Sequence, residues 1–412
     1  RNGVLLVASL LFYAWGEPRY LPVMLLSIGV DFLASNGIAR FWERPGMKKL
    51  FLGFSLVANL GLLLGFKYVN FILENLARLT GDAFAPLDIA LPLGISFFTF
   101  QTMSYTIDVY RGTTEAERNL IRFGAYVSLF PQLVAGPIVR YADIAEGLRS
   151  HRPDPQQISL GIRQFIQGLA AKVLLANPLG MLWEDVRQRG FSEASMPMAW
   201  LGILAFALQI YFDFSGYSRM AIGLGNLFGL SFPENFNHPY ASRSVTEFWR
   251  RWHMTLGQWF RSYVYIPLGG NRRGPLRQLL NLLVVWFLTG LWHGASWNFV
   301  LWGLWFGVFL AIEKFVLRSW LENHAVGSHA YTILVVLLGW VLFAIPSLAD
   351  VGMYLQRLLS FSLGTDALYA LRNHGMLLLL GVFLSLPPSV FGHMFQRIGC
   401  RLFSSLRQTG RH

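Results

Sequence analysis

The sequence has 412 residues, of which 54% are hydrophobic and only 14% are charged, and its mean hydropathy is +0.43. A soluble core of this length cannot bury so much apolar surface, so the composition excludes a soluble protein and indicates a polytopic membrane protein. The net charge of +12 falls in short patches between apolar runs, which disfavours nucleic-acid binding and favours loops beside anionic lipid headgroups.

Twelve apolar segments follow one another along the chain. They lie at residues 2–15, 20–39, 50–73, 89–107, 120–139, 158–176, 197–213, 215–231, 279–299, 300–317, 330–347 and 375–395. Proline, glycine or aspartate interrupts these runs at 92–94, 131–137 and 213–216. Lipid-exposed helices avoid such breaks, so we expect broken or re-entrant helices that line a cavity. The sequence therefore predicts an all-α polytopic membrane protein with about 10–12 membrane segments around a central funnel, formed as one domain over residues 1–412.

Basic residues concentrate at 40–49, 140–152, 243–277 and 397–411, which the positive-inside rule places toward the cytoplasm. Strict alternation of the segments does not put all four patches on one side, which again favours re-entrant pieces. The single cysteine, Cys400, excludes an intramolecular disulfide and a cysteine-based metal cluster.

Three aspartates lie in or beside apolar runs, namely Asp31, Asp108 and Asp213. A carboxylate at membrane depth can relay protons. Each of the three is close to a segment end or a glycine, however, where aspartate commonly caps a helix. We favour capping for all three.

Residues 240–307 form the expected catalytic core stretch, and its first half fits one amphipathic helix. At 100° per residue, the apolar residues of 248–263 fall within an arc of about 120°, and His253 lies about 20° past the edge of that arc. Residues 243–277 contain seven arginines and one acid, Glu247. We expect this helix to lie along the membrane surface or line a wet cavity.

Residues 279–299 are apolar on every side, with His293 as their only ionisable side chain, and are long enough to span a hydrocarbon core of about 30 Å. A histidine at this depth is costly unless it faces protein or water, so it marks a functional site by default. A structural histidine bonded to a neighbouring helix is the alternative. His253 and His293 lack i, i+4 spacing and accompanying cysteines or clustered carboxylates, so no metal site is predicted.

Glycines in the second half of the stretch recur at small-xxx-small spacing, Gly290 with Gly294 and Gly303 with Gly307, which favours close helix packing. The tryptophans nearby are either interfacial anchors or tunnel walls. They are Trp292, Trp297, Trp302 and Trp305.

Eight motifs are distinctive in combination. They are LPLGISF at 91–97, QTMSYTIDVYRG at 101–112, LVAGP at 133–137, YFDFSG at 211–216, PENFNHPY at 233–240, TEFWRRWH at 246–253, YIPLGGNR at 265–272 and GLWHG at 290–294. Together they resemble the membrane-bound O-acyltransferases, in particular the bacterial branch that contains the alginate O-acetylation membrane protein. The resemblance covers about residues 1–320, and beyond them the chain matches only in hydropathy.

The resemblance implies a many-helix membrane acyltransferase in which His293 corresponds to the family's catalytic histidine and His253 to its second characteristic histidine. Arg219 and Ser262 replace two acids of the family pattern. The family also implies a further helix ahead of Arg1. This agrees with a chain that starts without methionine and shows no signal peptide, which predicts that the numbered sequence begins partway into a longer protein.

On this interpretation, His293 takes the proton of a sugar hydroxyl as the oxygen attacks an acyl carbonyl. His253 positions the donor or polarises its carbonyl, with a structural role as the alternative. The donor is acetyl-CoA or another acyl thioester, and no permanently bound cofactor is expected. The residues expected to bind donor or substrate are Trp249, Arg250, Arg251, Trp252, Arg261, Arg272, Trp292 and Asn298, beside Arg273. Anionic lipid is the alternative partner of the arginines.

The resemblance further suggests a bacterial inner-membrane protein that passes the acyl group to a periplasmic acetyltransferase modifying an exopolysaccharide. Alternatives within this class are D-alanyl transfer to teichoic acid and O-acetylation of peptidoglycan or cellulose. Outside it, a structural subunit of an export complex remains open, as does a transporter, which the lack of an inverted repeat disfavours.

The two histidines are expected at different depths in the membrane. Counting from Leu279 along one helix puts His293 about 21 Å away, toward the outer leaflet, with His253 near the inner surface. We therefore expect a continuous polar passage between them, lined by the tryptophans of 292–305 and by the broken segments at Pro92 and Asp213.

Overall fold

The computed structural model describes residues 1–81, 84–150 and 153–389, and every regular element in these ranges is a helix. Cys400, the basic patch 397–411 and the end of the patch 140–152 lie outside the described residues. Within them, eight helices are long and apolar enough to cross a membrane: Pro18–Arg40, Pro45–Thr80, Pro155–Arg189, Met196–Leu227, Gly274–His293, Trp297–Asn323, Ala325–Ala344 and Asp366–Ser385. The predicted all-α polytopic fold class is confirmed.

Shorter helices connect these spans. They are Asn2–Gly16, Ile95–Arg111, Leu120–Ser128, Phe130–Leu133, Tyr141–Ser150, Val245–Arg251, Met254–Phe260 and Leu348–Leu359. Four π-helical turns also occur in the described chain, at Leu64–Tyr68, Ala171–Ala176, Arg261–Tyr265 and Glu313–Leu317. A π turn inserts one residue into a helix and is common at functional sites.

Two of the three predicted helix breaks are present. The helix after residue 92 starts only at Ile95, behind Gly94 with a φ of 73°, and the helix from Leu120 stops at Ser128, just before the segment 131–137. The third break was wrong, because 197–213 and 215–231 belong to the single helix Met196–Leu227.

Close packing accounts for the unbroken course of Met196–Leu227. A Cβ atom on Gly168 would lie 2.4 Å from the carbonyl oxygen of Gly216, and one on Gly223 would lie 2.6 Å from that of Gly161. The two backbones therefore touch at glycines, which allow close helix approach. Gly216 serves this contact and does not end the helix.

The predicted capping role was wrong for all three aspartates. Asp31 lies inside Pro18–Arg40, where its carboxylate accepts hydrogen bonds from the side chains of Ser55, Asn59 and Thr106. Asp108 accepts one from the Tyr263 hydroxyl at 2.7 Å. Asp213 forms an ion pair with Lys172 on the neighbouring helix. Each carboxylate ties its own helix to at least one other, and Asp31 ties three helices together, since a buried polar group needs partners from the protein.

Three apolar clusters form the core. One contains buried residues of the N-terminal helices together with Leu230 and Phe232, and another contains most of the remaining buried apolar residues between Ala176 and Leu378. A third, smaller cluster joins them, with the rings of Phe100 and Trp259 stacked at 3.7 Å and Trp292 beside them. Both predicted site histidines adjoin this cluster, since the rings of His253 and His293 each contact Trp292.

Candidate functional site around two histidines

The helix predicted over 248–263 is broken at His253. It consists of Val245–Arg251 and Met254–Phe260, and His253 between them has a left-handed backbone with a φ of 44° and a ψ of 54°. A left-handed conformation is uncommon for a residue with a side chain and is costly. His253 is 2% exposed, so it is buried within the protein and does not face the membrane surface.

The break is held by the segment that precedes these helices. The amide of Met254 donates to the carbonyl of Asn235 at 3.0 Å, and the amide of Asn237 donates to the carbonyl of Arg251 at 2.9 Å. These groups would otherwise bond within a continuous helix. Because the competing partners lie more than ten residues away, the apolar periodicity of 248–263 could not reveal the break.

Glu313 fixes the start of the first short helix. Its buried carboxylate accepts hydrogen bonds from the amides of Val245 and Thr246 at 2.5 and 2.8 Å, and from the Thr246 hydroxyl at 2.7 Å. A carboxylate in this position satisfies amides that have no partner within the helix and complements the helix dipole. The contact locks Val245–Arg251, which carries Trp249, against the long helix Trp297–Asn323.

Asn235 defines the protonation of the His253 ring. Its Oδ1 accepts hydrogen bonds from the Thr255 amide at 3.3 Å and from the Thr255 hydroxyl at 2.9 Å, and it lies 3.1 Å from Nδ1 of His253. A backbone amide can only donate, so the atom facing it is the side-chain oxygen and Nδ1 must carry a proton. Nε2 of a neutral His253 is then the basic nitrogen, and it is buried without a hydrogen-bond partner in the protein.

His293 is the last residue of its helix and does not lie inside a span. The predicted segment 279–299 contains the end of Gly274–His293, a non-helical link, and the start of Trp297–Asn323. The close packing predicted from glycine spacing is confirmed, but it joins the two helices at Gly290 and Gly303, where a Cβ on Gly303 would lie 3.1 Å from Gly290. The His293 ring therefore sits at a helix end beside Trp302, with ring centroids 4.8 Å apart.

Lys67 and Tyr68 bind the end of the His293 helix from the π-helical turn Leu64–Tyr68. The Lys67 ammonium donates hydrogen bonds to the carbonyl of Trp292 and, at 2.9 Å, to the Ser96 hydroxyl, and the Tyr68 hydroxyl donates to the carbonyl of Leu291 at 2.7 Å. The last carbonyls of a helix have no partner within it, and side-chain donors satisfy them.

Both histidines line one cavity of about 230 Å³. Its walls are mainly aromatic, and its polar lining comes from Lys67, Ser96, His253 and His293. The complete lining is Lys67, Ser96, Phe97, Ile210, Phe214, Trp252, His253, Trp292, His293, Trp302, Trp340 and Phe343. The expected separation of the histidines between the two membrane surfaces was therefore wrong, because the helix break at each histidine brings both rings to the same space.

A second cavity of about 170 Å³ lies on the other side of Trp252 and His253, which line both spaces. It is bounded by Trp249, Trp252, His253, Leu256, Gly257, Phe260, Arg261, Tyr265, Leu282, Val285, Trp286 and Thr289. The side-chain nitrogens of Trp249, Trp292 and Trp302 are buried without a hydrogen-bond partner in the protein. Unsatisfied donors on the walls of cavities are typical of sites that receive a ligand or water.

Other predicted binding residues lie elsewhere. Arg250 and Arg272 are exposed, and neither lines a cavity that contains a histidine. Arg251 pairs with Glu247 at 2.7 Å. Asn298 is buried, where it donates to the carbonyl of Leu342 at 3.2 Å and accepts from the Ser296 hydroxyl. Of the expected lining elements, the break at Pro92 contributes Ser96 and Phe97 to the cavity wall. Asp213 does not line the cavity, but its neighbour Phe214 does.

Lys67, Ser96 and Asn235 reach the site without having been singled out in the sequence. Lys67 could have been found from the sequence, because it is the only charged residue in the apolar segment 50–73. Asn235 lies within a quoted family motif, but its contact to His253 spans 18 residues. No group of three histidines, cysteines or carboxylates comes together as a metal site within the described ranges.

Comparison with known proteins places these features in a family context. A model of the membrane-bound O-acyltransferase family matches residues 94–355, which extends beyond the predicted limit near residue 320. A probable alginate O-acetylase AlgI from Pseudomonas syringae pv. tomato is 42% identical over 371 residues, covering 88% of this chain and 70% of the relative. Its counterpart from Pseudomonas aeruginosa is 40% identical over 381 residues, with the same coverage. A peptidoglycan O-acetyltransferase from Helicobacter pylori is 36% identical over 340 residues, covering 75% of this chain and 64% of the relative.

Proposed function

Because the chain belongs to the membrane-bound O-acyltransferase family, we propose that it transfers an acetyl group from a cytoplasmic thioester donor, such as acetyl-CoA, toward hydroxyl groups of an extracytoplasmic polysaccharide. The protein is a multi-pass membrane enzyme. Relatives named as alginate O-acetylases support acetyl as the group and a polysaccharide as the acceptor. In a bacterial inner membrane, the donor and the acceptor would approach from opposite sides.

The observation that carries this proposal is the aromatic cavity shared by His253 and His293. An acceptor hydroxyl is a poor nucleophile until a base takes its proton, and a neutral imidazole within hydrogen-bond reach provides that base. We assign the base to His293, which ends its helix at the cavity wall. His253, with its basic Nε2 turned to no protein partner, holds a hydroxyl or a water in line with the carbonyl.

The second cavity supplies a route for the donor. It extends from His253 to Arg261 and Tyr265, within the arginine-rich segment 243–277 that the positive-inside rule assigns to the cytoplasm. A phosphate-bearing carrier would rest on arginines outside, since guanidinium groups bind phosphate well. Its narrow thioester arm would enter between aromatic walls and bring the acyl carbon to the two histidines.

On the opposite side, the acyl group would pass to the polysaccharide through a periplasmic acetyltransferase partner. The volume of about 230 Å³ of the histidine cavity suits a small acceptor group better than a folded polymer strand, since ligand pockets for larger molecules run to several hundred Å³. Relay through a partner is therefore the simpler route.

Acetylation of peptidoglycan is the second candidate function. The similarity to the Helicobacter pylori peptidoglycan O-acetyltransferase favours it. The chemistry is the same, because both acceptors present sugar hydroxyls. Mass analysis of extracted cell wall and of extracellular polysaccharide from the same cells separates the two acceptors.

Replacement of His293 tests the proposal. We expect His293→Ala to abolish acetylation of the polysaccharide, while the protein inserts and purifies normally, because the general base is lost. His329→Ala is the matched control, since His329 contacts the carbonyl of Ser242 and lines neither cavity. Full acetylation in cells that carry only the His293 variant would contradict the assignment.

A further inference from the structure

We propose that Lys67 is a catalytic residue whose ammonium group stabilises the negative charge that forms on the acyl carbonyl oxygen during transfer. The inference rests on the proposed function and adds to it a residue outside the two histidine motifs. It follows from the position of Lys67 on the wall of the histidine cavity. It also follows from the hydrogen-bond partners of the ammonium group, which are neutral.

Lys67 brings an uncompensated charge to an aromatic space. Its hydrogen bonds go to a carbonyl and a hydroxyl, those of Trp292 and Ser96, and none of the ion pairs among the described residues gives it a carboxylate. Lys67 is half-buried, and a charge that is partly withdrawn from water without an opposite charge is costly. Such a group persists where a negative charge appears during function, as in sites that stabilise an oxyanion.

The ammonium group also has a donor to spare. It carries three N–H bonds, of which two account for the Ser96 and Trp292 contacts. The third is available to the cavity. His253 and His293 lie on the same walls, so an acyl carbon held between them would place its carbonyl oxygen within the part of the cavity that Lys67 borders.

The charge develops in a defined step. The acceptor hydroxyl oxygen forms a bond to the thioester carbonyl carbon, its proton passes to the histidine, and the carbonyl π electrons move onto oxygen as an oxyanion. The carbonyl then re-forms, the carbon–sulfur bond breaks, and the leaving thiolate takes the proton from the histidinium. The thioester becomes an ester and a thiol without any oxidant or reductant.

The backbone favours this assignment. Lys67 lies in the π-helical turn Leu64–Tyr68, and a π turn displaces side chains from the register of the surrounding α-helix. The surrounding helix is largely apolar, and the displacement of its register directs Lys67 inward to the cavity. The ammonium nitrogen is 5.8 Å from the centre of the Trp292 ring, an arrangement that further stabilises a cation.

Helix capping is the competing explanation, and the neighbouring Tyr68 offers a control for it. Tyr68 donates to the carbonyl of Leu291 just as Lys67 donates to that of Trp292, but a tyrosine hydroxyl brings no positive charge. If Lys67 only holds the His293 helix, removal of either side-chain donor should affect activity to a similar extent.

The experiment measures kcat and donor KM for the purified protein in lipid vesicles with acetyl-CoA and a soluble hydroxyl acceptor. We expect Lys67→Met to lower kcat by about a hundredfold or more, the typical effect of losing one oxyanion donor, with donor KM nearly unchanged. Tyr68→Phe should lower kcat by only a few fold. Lys67→Gln keeps hydrogen-bond donors for the helix end without the charge, and it should be as impaired as Lys67→Met.

The outcomes separate the two levels of the proposal. Equal losses in the Lys67→Met and Tyr68→Phe proteins, or near-normal kcat in Lys67→Gln, would overturn the role of Lys67 and leave the enzyme assignment intact. If Lys67→Met does not fold, the Lys67→Gln result decides. If the wild-type protein transfers no acetyl group from any thioester tested, the proposed function itself fails.

Discussion

His253 adopts a backbone conformation that its own side chain disfavours, so the surrounding residues must hold it there. A left-handed non-glycine residue costs on the order of 1–3 kcal/mol. Asn235 opposes this cost with a backbone carbonyl that accepts the Met254 amide and a side-chain oxygen that faces His253 and Thr255. One residue thus fixes both the direction and the protonation of the imidazole ring.

Replacement of Asn235 should therefore act through His253. We expect Asn235→Ala to lower kcat at least tenfold, because Nδ1 loses its acceptor and the ring can present either nitrogen to the cavity. Histidine-selective ¹⁵N NMR should show an unprotonated Nε2 in the wild type and a mixture of tautomers in the variant. Ser218→Ala is the control, since Ser218 bonds the amide end of Asn235, away from the ring. A wild-type spectrum in which Nδ1 is the unprotonated nitrogen would contradict the assignment.

The sequence was informative for residues that look unusual where they stand. His293 is the only ionisable residue in an apolar run, and His253 follows a basic, tryptophan-rich stretch, so both residues are recognisable from the sequence. Their proximity was not predictable, since it depends on a left-handed turn set by Asn235 and on a helix end set by Lys67 and Tyr68. These partners come from distant parts of the chain, and no local periodicity encodes them.

At the scale of helices, the crossing of Gly274–His293 and Trp297–Asn323 sets the position of His293. The two backbones touch where Gly290 meets Gly303, and a Cβ on Gly303 would lie 2.3 Å from the carbonyl oxygen of Trp286. Neither backbone can yield there without moving its whole helix. The spacing of these glycines revealed the packing, although the partners across the interface differ from the pairs seen along the sequence.

Enlarging this contact should disturb the site from a distance. We expect Gly303→Ala to lower both the thermal unfolding midpoint and kcat, because overpacking costs about 1–3 kcal/mol and shifts the helix end that carries His293. Gly307→Ala is the matched control on the next turn, where the added methyl would meet side-chain atoms of Trp286 and Leu283 at 3.1 and 3.3 Å. Equal unfolding midpoints for the two variants would contradict this account, which is tested by thermal unfolding in detergent.

Three of the four π-helical turns in the described residues carry a cation at a tertiary contact. Lys67 reaches the histidine cavity, Lys172 pairs with Asp213, and Arg261 borders the second cavity. Hydropathy predicts the approximate positions of the spans but not these turns. A π turn depends on the tertiary contacts of the side chain that it displaces, and hydropathy does not report those contacts. For the same reason, the sequence around Asp213 predicts a helix break, although the ion pair with Lys172 keeps Asp213 inside a continuous helix.

At the scale of the whole molecule, the two cavities adjoin at Trp252 and His253, and of the two only the second is lined by an arginine, Arg261. Composition alone predicted a helical membrane protein, since the apolar content leaves few other folds. It could not distinguish arginines that face a cavity from those that face lipid or solvent. The structure places Arg261 at the cavity, whereas Arg250 and Arg272 lie away from it.

Charge reversal at Arg261 should weaken use of the donor more than reversal elsewhere in the segment. We expect Arg261→Glu to raise the KM for acetyl-CoA about tenfold with a smaller change in kcat, because a carboxylate there would repel the carrier phosphates. Arg277→Glu is the control, since Arg277 is also exposed but lines neither cavity. Titration of initial rates with donor measures both. The same donor KM in the two variants would show that the carrier does not approach along this side.

The wall shared by the two cavities bears on the cell's energy supply. Trp252 and His253 line both spaces. Under the proposed function, a donor in one space and an acceptor in the other would exchange only a small uncharged group past these two side chains. Bulky carriers and inorganic ions would stay on their own sides. The membrane would thereby remain an electrical insulator throughout turnover, and modification of the cell exterior would not dissipate the voltage that drives ATP synthesis and transport.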